Sequence, residues 1–254
     1  MRAKKSLGQN FIHDQNFLVK LNKKINSDSN TNIIEIGPGR GALTTFLVKK
    51  NFKKLFLIEK DNKLANNLDN FYENNKKITV KNKDALDFDL LSLPINSNCI
   101  IVGNLPFNIS SQLLIKWIST SNWPPFYTKM YLMFQKELGE RIIAESNSKS
   151  YGRISVLSQA RCKIKKILTA PSSIFYPKPK VDAVVLEFIP IEKYKNINVN
   201  KLKLITKKAF HQRRKKIKSS LKEYRDLLEN NSFDLDVRAE NLSVNDFCKI
   251  TNLI

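Results

Sequence analysis

Ile33-Ile34-Glu35-Ile36-Gly37-Pro38-Gly39-Arg40-Gly41 is the stretch on which the fold turns. An apolar run rich in β-branched residues ends there in three alternating glycines, and residues of helical period follow. Glycine at such places lets the backbone turn tightly and lets a ligand approach where any Cβ would clash. About 20 residues further on, Glu59 closes the next apolar run, where a carboxylate can accept both hydroxyls of a ribose.

Outward from this pair the same pattern repeats. Strands are expected over 32–36, 55–59, 78–81, 99–103 and 130–134, and helices over 42–50, 62–72 and 110–118. This alternation is that of a parallel sheet covered by helices, an α/β, Rossmann-like domain. Runs 164–170 and 181–189 are expected as further strands that close the sheet edge as a hairpin. Pro, Lys and Asn replace the apolar run over 190–200, which marks a linker. Beyond it Leu202, Ile205, Ala209, Ile217 and Leu221 recur at near-helical spacing with basic residues between them. An amphipathic basic helix in a small, all-helical C-terminal domain follows, dividing the chain into 1–192 and 193–254.

Composition narrows the function. With 254 residues, 42% of them hydrophobic, the chain can build a substantial core. It holds no apolar run long enough for a membrane span, and Met1-Arg2-Ala3-Lys4-Lys5-Ser6 leads into no apolar segment. A cytoplasmic protein without membrane association is expected. Cys99, Cys162 and Cys248 are far apart, and with only two histidines there is neither a disulfide framework nor a metal site in view. The formal charge is +21, and Lys outnumbers Arg 35 to 9, as a general compositional bias would produce. Bias does not explain residues 193–222, where twelve Lys or Arg stand without one Asp or Glu. Nucleic-acid contact is expected there, centred on Arg213, Arg214, Lys215 and Lys216.

Gly37, Gly39 and Glu59 leave the cofactor open. With Ala42 the glycines also satisfy a nicotinamide dinucleotide fingerprint, so S-adenosylmethionine and a dinucleotide fit equally. Asp84, after the third strand and on the same sheet edge, can accept a hydrogen bond from an adenine amine, although such a residue often serves only a turn. Gly103-Asn104-Leu105-Pro106-Phe107 is the sharpest signal. The lone pair of an adenine N6 is delocalised into its ring. Two hydrogen-bond acceptors aimed at that amine favour a pyramidal nitrogen whose lone pair points at a sulfonium methyl. The Asn104 side-chain oxygen and the Leu105 carbonyl can be those acceptors. Pro106 restricts Leu105 to extended conformations, and Phe107 offers a face for an extruded base.

At this point the chain resembles the ribosomal RNA adenine N6-dimethyltransferases of the KsgA type, over nearly its whole length. The resemblance includes Lys5-Ser6-Leu7-Gly8-Gln9-Asn10-Phe11, the glycine stretch, Glu59, Asp84 and Asn104-Leu105-Pro106-Phe107. It continues through Phe175-Tyr176-Pro177-Lys178-Pro179-Lys180-Val181-Asp182, Phe210-His211-Gln212-Arg213-Arg214-Lys215 and Arg238-Ala239-Glu240-Asn241-Leu242-Ser243. It implies a monomeric, metal-free enzyme that carries two methyl groups from S-adenosyl-L-methionine to each of two adjacent adenosines near the 3′ end of 16S rRNA, in the 30S subunit or its precursor. Gln9, Asn10, Ile12, Gly39, Lys60 and Ala85 would then meet the cofactor, Gly37 its methionine end, Glu59 its ribose and Asp84 its adenine. Asn104 would hold cofactor and target amine together, and Phe175 would be the second wall of a base sandwich with Phe107. Ile12 replaces a more usual Leu, Phe107 a common Tyr, and Arg40 sits between glycines. Three other readings compete: the sister enzymes of 23S rRNA, a non-catalytic RNA-binding assembly or transcription factor on the same fold, and a nicotinamide oxidoreductase. The last explains neither the basic C-terminal region nor Asn104-Leu105-Pro106-Phe107.

Overall fold

The structure, a computed structural model, describes residues 4, 7–95 and 98–254. Lys5 and Ser6, with the start of the chain at 1–3, lie outside the described residues.

Five strands run parallel: β2 (Asn32–Ile36), β3 (Lys54–Glu59), β4 (Ile78–Asn82), β5 (Cys99–Asn104) and β6 (Lys129–Gln135). A two-residue strand β1 (Phe11–Ile12) precedes them, and β7 (Cys162–Ala170), β8 (Phe175–Tyr176) and β9 (Ala183–Pro190) follow. The main sheet has the order β4-β3-β2-β5-β6-β9-β7, with β9 antiparallel to β6, while β1 and β8 form an antiparallel ribbon of their own. Runs 164–170 and 181–189 thus do become strands at the sheet edge. Every residue of β2 is buried, as expected of a parallel strand covered on both faces. Register places Ile34 between Phe56 and Ile101, at the centre of the core.

Helices α1 (Gln15–Lys24), α2 (Thr44–Leu47), α3 (Asn62–Tyr72), α4 (Ser110–Ile118) and α5 (Lys136–Ile143) accompany these strands. Two starts are side-chain capped: Asp14 accepts from Phe17 N, and Asp61 accepts from Lys63 N and Leu64 N. The helix expected over 42–50 contracts to α2, continued by single turns to Lys50. Its β-branched Thr44 and Thr45 spend their hydroxyls on Glu35 and on the Ala42 carbonyl, which competes with a longer helix.

By its contacts the chain groups into two compact units, one of residues 1–114, 126–139 and 165–189, the other of 115–125, 140–164 and 190–254. The second unit contains α6 (Arg153–Gln159), α7 (Val199–His211), α8 (Ile217–Ser220), α9 (Arg225–Asn230) and α10 (Val244–Leu253). α7 buries Leu202, Ile205 and Ala209 and packs against α6 and α10. Phe210 lies between Tyr151 and Phe247, at centroid distances of 6.0 and 5.4 Å.

The single basic helix expected through Leu221 does not form. α7 stops at His211, and the chain turns before α8. Between Phe210 and Ile217 no core anchor occurs, and among the four adjacent cations at 213–216 Arg213 and Lys216 would face each other at i,i+3 on a continued helix. The backbone instead bonds elsewhere: Ile217 N and Lys218 N donate to the carbonyls of Val237 and Leu235.

Candidate active site

The carboxyl ends of β2, β3 and β5 open onto a cavity of about 610 Å3, a size that suits a nucleoside-sized ligand. Every residue assigned from the sequence to the cofactor lines it, as do all of Asn104-Leu105-Pro106-Phe107. Phe175 does not, and Tyr176 does.

The glycine loop shapes one wall. Gly37, Gly39 and Gly41 have φ of 64°, 60° and 78°, in the left-handed region that glycine alone enters without strain. A Cβ on Gly39 would come within 2.9 Å of the Phe11 ring, whereas on Gly37 its nearest neighbour would be the Asn104 carbonyl oxygen at 3.9 Å. The space before Gly37 is therefore the place where a ligand can lie against backbone. Behind the loop Glu35 is buried and accepts from the Thr44 hydroxyl at 2.7 Å. Burial pushes its carboxyl up to about 8, the Thr44 hydrogen bond opposes this, and the nearby Glu59 charge adds to it.

Glu59 is held still by the backbone. One carboxylate oxygen accepts from Gly39 N at 2.9 Å and the other from Asp61 N at 2.8 Å. Burial raises its pKa and the backbone N–H groups pull it back. Each oxygen keeps a second lone pair, so the carboxylate can still accept ribose hydroxyls. Asp84 serves a turn as well as the cavity: one oxygen accepts from Leu86 N at 2.9 Å and the other from the Lys60 ammonium at 2.6 Å. Lys60 is accordingly raised by that hydrogen bond.

Asn104 ends β5. Its Nδ2 donates to the Asn10 carbonyl at 2.8 Å, which leaves Oδ1 as its acceptor. Gly103 before it lets the strand pass close to β2, since a Cβ there would meet the Ile36 carbonyl at 3.0 Å. Pro106 O accepts from Ile109 N at 3.1 Å, closing the turn that sends the chain into α4.

Phe107 and Phe175 meet, but not as two walls. Their centroids are 6.3 Å apart with planes at 71°, edge to face, and Phe175 is 2% exposed. No slot for a base stands open between them in this structure, because Phe175 belongs to the core under β1 and β8. Of the two aromatics of β8 it is Tyr176, 58% exposed, that reaches the cavity. Strand alternation would have found it, because adjacent residues of an extended pair face opposite ways. Phe11 was likewise missed as a wall, and Arg40 lies over its ring at 4.7 Å.

Of the basic residues, Arg213 donates to the carbonyls of Lys149 and Tyr151 at 2.7 and 3.0 Å and stands 3.7 Å from Glu240. Asn147, in the same loop at φ 68°, donates its N–H to Glu240 O and accepts from Asn241 Nδ2. Two of the quoted motifs therefore meet to knit one loop. Lys216 pairs with Asp236 at 2.9 Å, while Arg214 and Lys215 are exposed and carry no ion pair among the described residues. All three cysteines are free and buried, their thiols pushed up to about 12 by burial. Among the described residues no helix is long and apolar enough to cross a membrane.

Comparison with known proteins agrees with this geometry. A family model described as "Ribosomal RNA adenine dimethylase" matches residues 1–254. The "Ribosomal RNA small subunit methyltransferase A" of Blochmanniella floridana is 39% identical, over 98% of this chain and 93% of its own. The protein so named in Ehrlichia ruminantium (strain Gardel) is 40% identical, over 100% and 98%. Among solved structures, a dimethyladenosine transferase from Plasmodium falciparum superposes with a TM-score of 0.80 at 26% identity, covering 94% of this chain and 95% of the other. Full-length matches of this kind, around an Asn-Leu-Pro-Phe turn that borders a glycine-lined cavity, place the chain in the ribosomal RNA adenine dimethylase family.

Proposed function

We propose that the protein transfers methyl groups from S-adenosyl-L-methionine to N6 of two adjacent adenosines near the 3′ end of 16S rRNA in the small ribosomal subunit, giving N6,N6-dimethyladenosines. It acts in the cytoplasm, as a monomer and without a metal. The observation that carries this reading is the orientation of Asn104: one N–H of its amide donates to Asn10 O, which fixes the amide and leaves its oxygen to accept from a substrate amine. Relatives named for the small subunit support that RNA over 23S rRNA, and the intact Asn104-Leu105-Pro106-Phe107 turn supports an enzyme over a purely binding protein.

The chain's own groups fit the cofactor: left-handed glycines give backbone approach, Glu59 offers oriented lone pairs to a ribose, and Asp84 and Ala85 border the far end. Bound there, S-adenosylmethionine supplies an electrophilic methyl. Asn104 Oδ1 and the Leu105 carbonyl accept from the two N6 hydrogens and turn the nitrogen lone pair outward. The N6 proton is lost to solvent during or after transfer, so no strong base is required. Phe107 stacks on the extruded base. Arg214 and Lys215 contact rRNA phosphates.

Purified protein with labelled S-adenosylmethionine is expected to place up to four methyls on small subunits from a strain lacking the modification, mapped to two neighbouring adenosines. Asn104→Ala should lower transfer by about 100-fold or more, the scale of losing one transition-state hydrogen-bond partner. Label on large subunits, or undiminished turnover by Asn104→Ala, would overturn the reading.

A further inference from the structure

We propose that Asp61 is a positioning residue that latches the N-terminal strap over the cofactor cavity and so sets how long the cofactor stays bound. The inference rests on the cofactor reading above.

Residues 7–12 line the cavity along one side, and three contacts hold them. At the inner end β1 pairs with β8, and His13 N donates to Ile174 O at 3.0 Å. In the middle Asn104 grips the Asn10 carbonyl. At the outer end Lys4 Nζ lies 2.7 Å from Asp61 Oδ2, and the Lys4 backbone N–H donates to Gln9 Oε1 at 2.8 Å. Gln9 Nε2 adds a long contact of 3.5 Å to the same Asp61 oxygen.

Asp61 divides its work between its two oxygens. Oδ1 caps α3 by accepting from Lys63 N and Leu64 N, and Oδ2 takes the strap. The Asp61 side chain is 2% exposed against 51% for Lys4, so losing the ammonium leaves a buried carboxylate oxygen short of a partner. That makes the contact worth more than an ordinary surface pair. The residue also stands two places after Glu59 and donates its own N–H to that carboxylate, so strap and ribose site share one support. Each dimethyladenosine consumes two donor molecules, and the product cofactor must leave between transfers. Opening at Asp61 releases the strap without breaking the β1–β8 ribbon.

The test uses the full chain and the dissociation rate of S-adenosylmethionine followed by stopped flow, with Asp61→Asn, Lys4→Gln and the double variant. Asp61→Asn keeps the capping oxygen and replaces the latching one with an NH2 that repels an ammonium. Each single variant is expected to speed release on the order of tenfold, equivalent to about 1.4 kcal/mol. The double variant should be no faster than either single one, as for two halves of one interaction. The melting temperature of Asp61→Asn should fall by no more than roughly 3–6 °C, the scale of losing this one contact. Unchanged release in either single variant, or multiplicative effects in the double one, would overturn the latch. If Asp61→Asn melts early, Lys4→Gln decides alone, since it is remote from the cap. A parent chain that binds no S-adenosylmethionine would sink the cofactor reading itself, an outcome distinct from normal binding with unaltered release.

Discussion

A carboxyl group shut away from water holds its proton beyond the usual range, and Glu35 is in that position on β2 between Ile34 and Ile36. The sign of the consequence follows from linkage. The unfolded group ionises near its ordinary value of 4.5 and the folded one near 8, so between these the native state binds more protons and stability falls as pH rises. Below the lower value the group contributes no pH dependence, and above the upper one the loss is complete. Glu35→Gln, which still accepts from Thr44, removes this penalty. At pH 8 it is expected to gain at least about 1.4 kcal/mol over the parent, or roughly 3 °C in melting temperature, with little gain at pH 4.5. Equal melting differences at both pH values would show that burial does not hold this proton. The acid in an apolar strand was legible in sequence, as were Gly37, Glu59 and Asn104, because their spacing marks the ends of strands. Its enclosure was not legible, since that depends on helices from other parts of the chain. Nor were the roles of Phe175 and Tyr176, which differ by one step of strand alternation that no motif records.

Elements with strong periodicity were read nearly to the residue, and β2, α3 and α4 have the bounds expected. Those fixed by tertiary contact were not. β1 is two residues long and exists through pairing with β8, and α7 ends where its cations lose their core anchors. α5 shows the same dependence in its packing. Gly139 lies inside this helix, where an isolated glycine costs about 1 kcal/mol relative to Ala. The reason for glycine lies across the interface: a Cβ would stand 2.1 Å from Cγ2 of Val184, a buried, β-branched side chain on β9 with little rotamer freedom. Gly139→Ala should therefore destabilise by about 1–3 kcal/mol despite its better helix propensity, seen as a fall of several degrees in melting temperature. Adding Val184→Ala should cost less than the sum of the two single changes. A neutral or stabilised Gly139→Ala would mean that α5 can move away from the sheet freely.

On the scale of the whole molecule, 44 Lys and Arg against 23 Asp and Glu leave a surface whose excess charge must meet a polyanion or remain solvated. A protein that neutralises six or more phosphates loses about 1,000-fold in affinity between 50 and 200 mM salt, and binding to small ribosomal subunits is expected to show that dependence. The structure divides the basic segment into two kinds of residue. Arg214 and Lys215, exposed and without ion pairs among the described residues, should each contribute roughly 0.7–0.9 to the slope of log affinity against log salt. Arg214→Gln with Lys215→Gln should thus flatten the slope by about 1.5 and leave the melting temperature unchanged. Arg213 spends its guanidinium on two carbonyls of the 145–151 loop, and its removal costs about 1 kcal/mol for each. Arg213→Gln should lower the melting temperature by roughly 4–8 °C while changing the slope least. The adjacent arginines are indistinguishable by charge and by sequence, and only the carbonyls that face Arg213 mark it as a structural cation. Equal slopes for the double variant and the parent, or an Arg213→Gln protein as stable as the parent, would show that this separation is wrong.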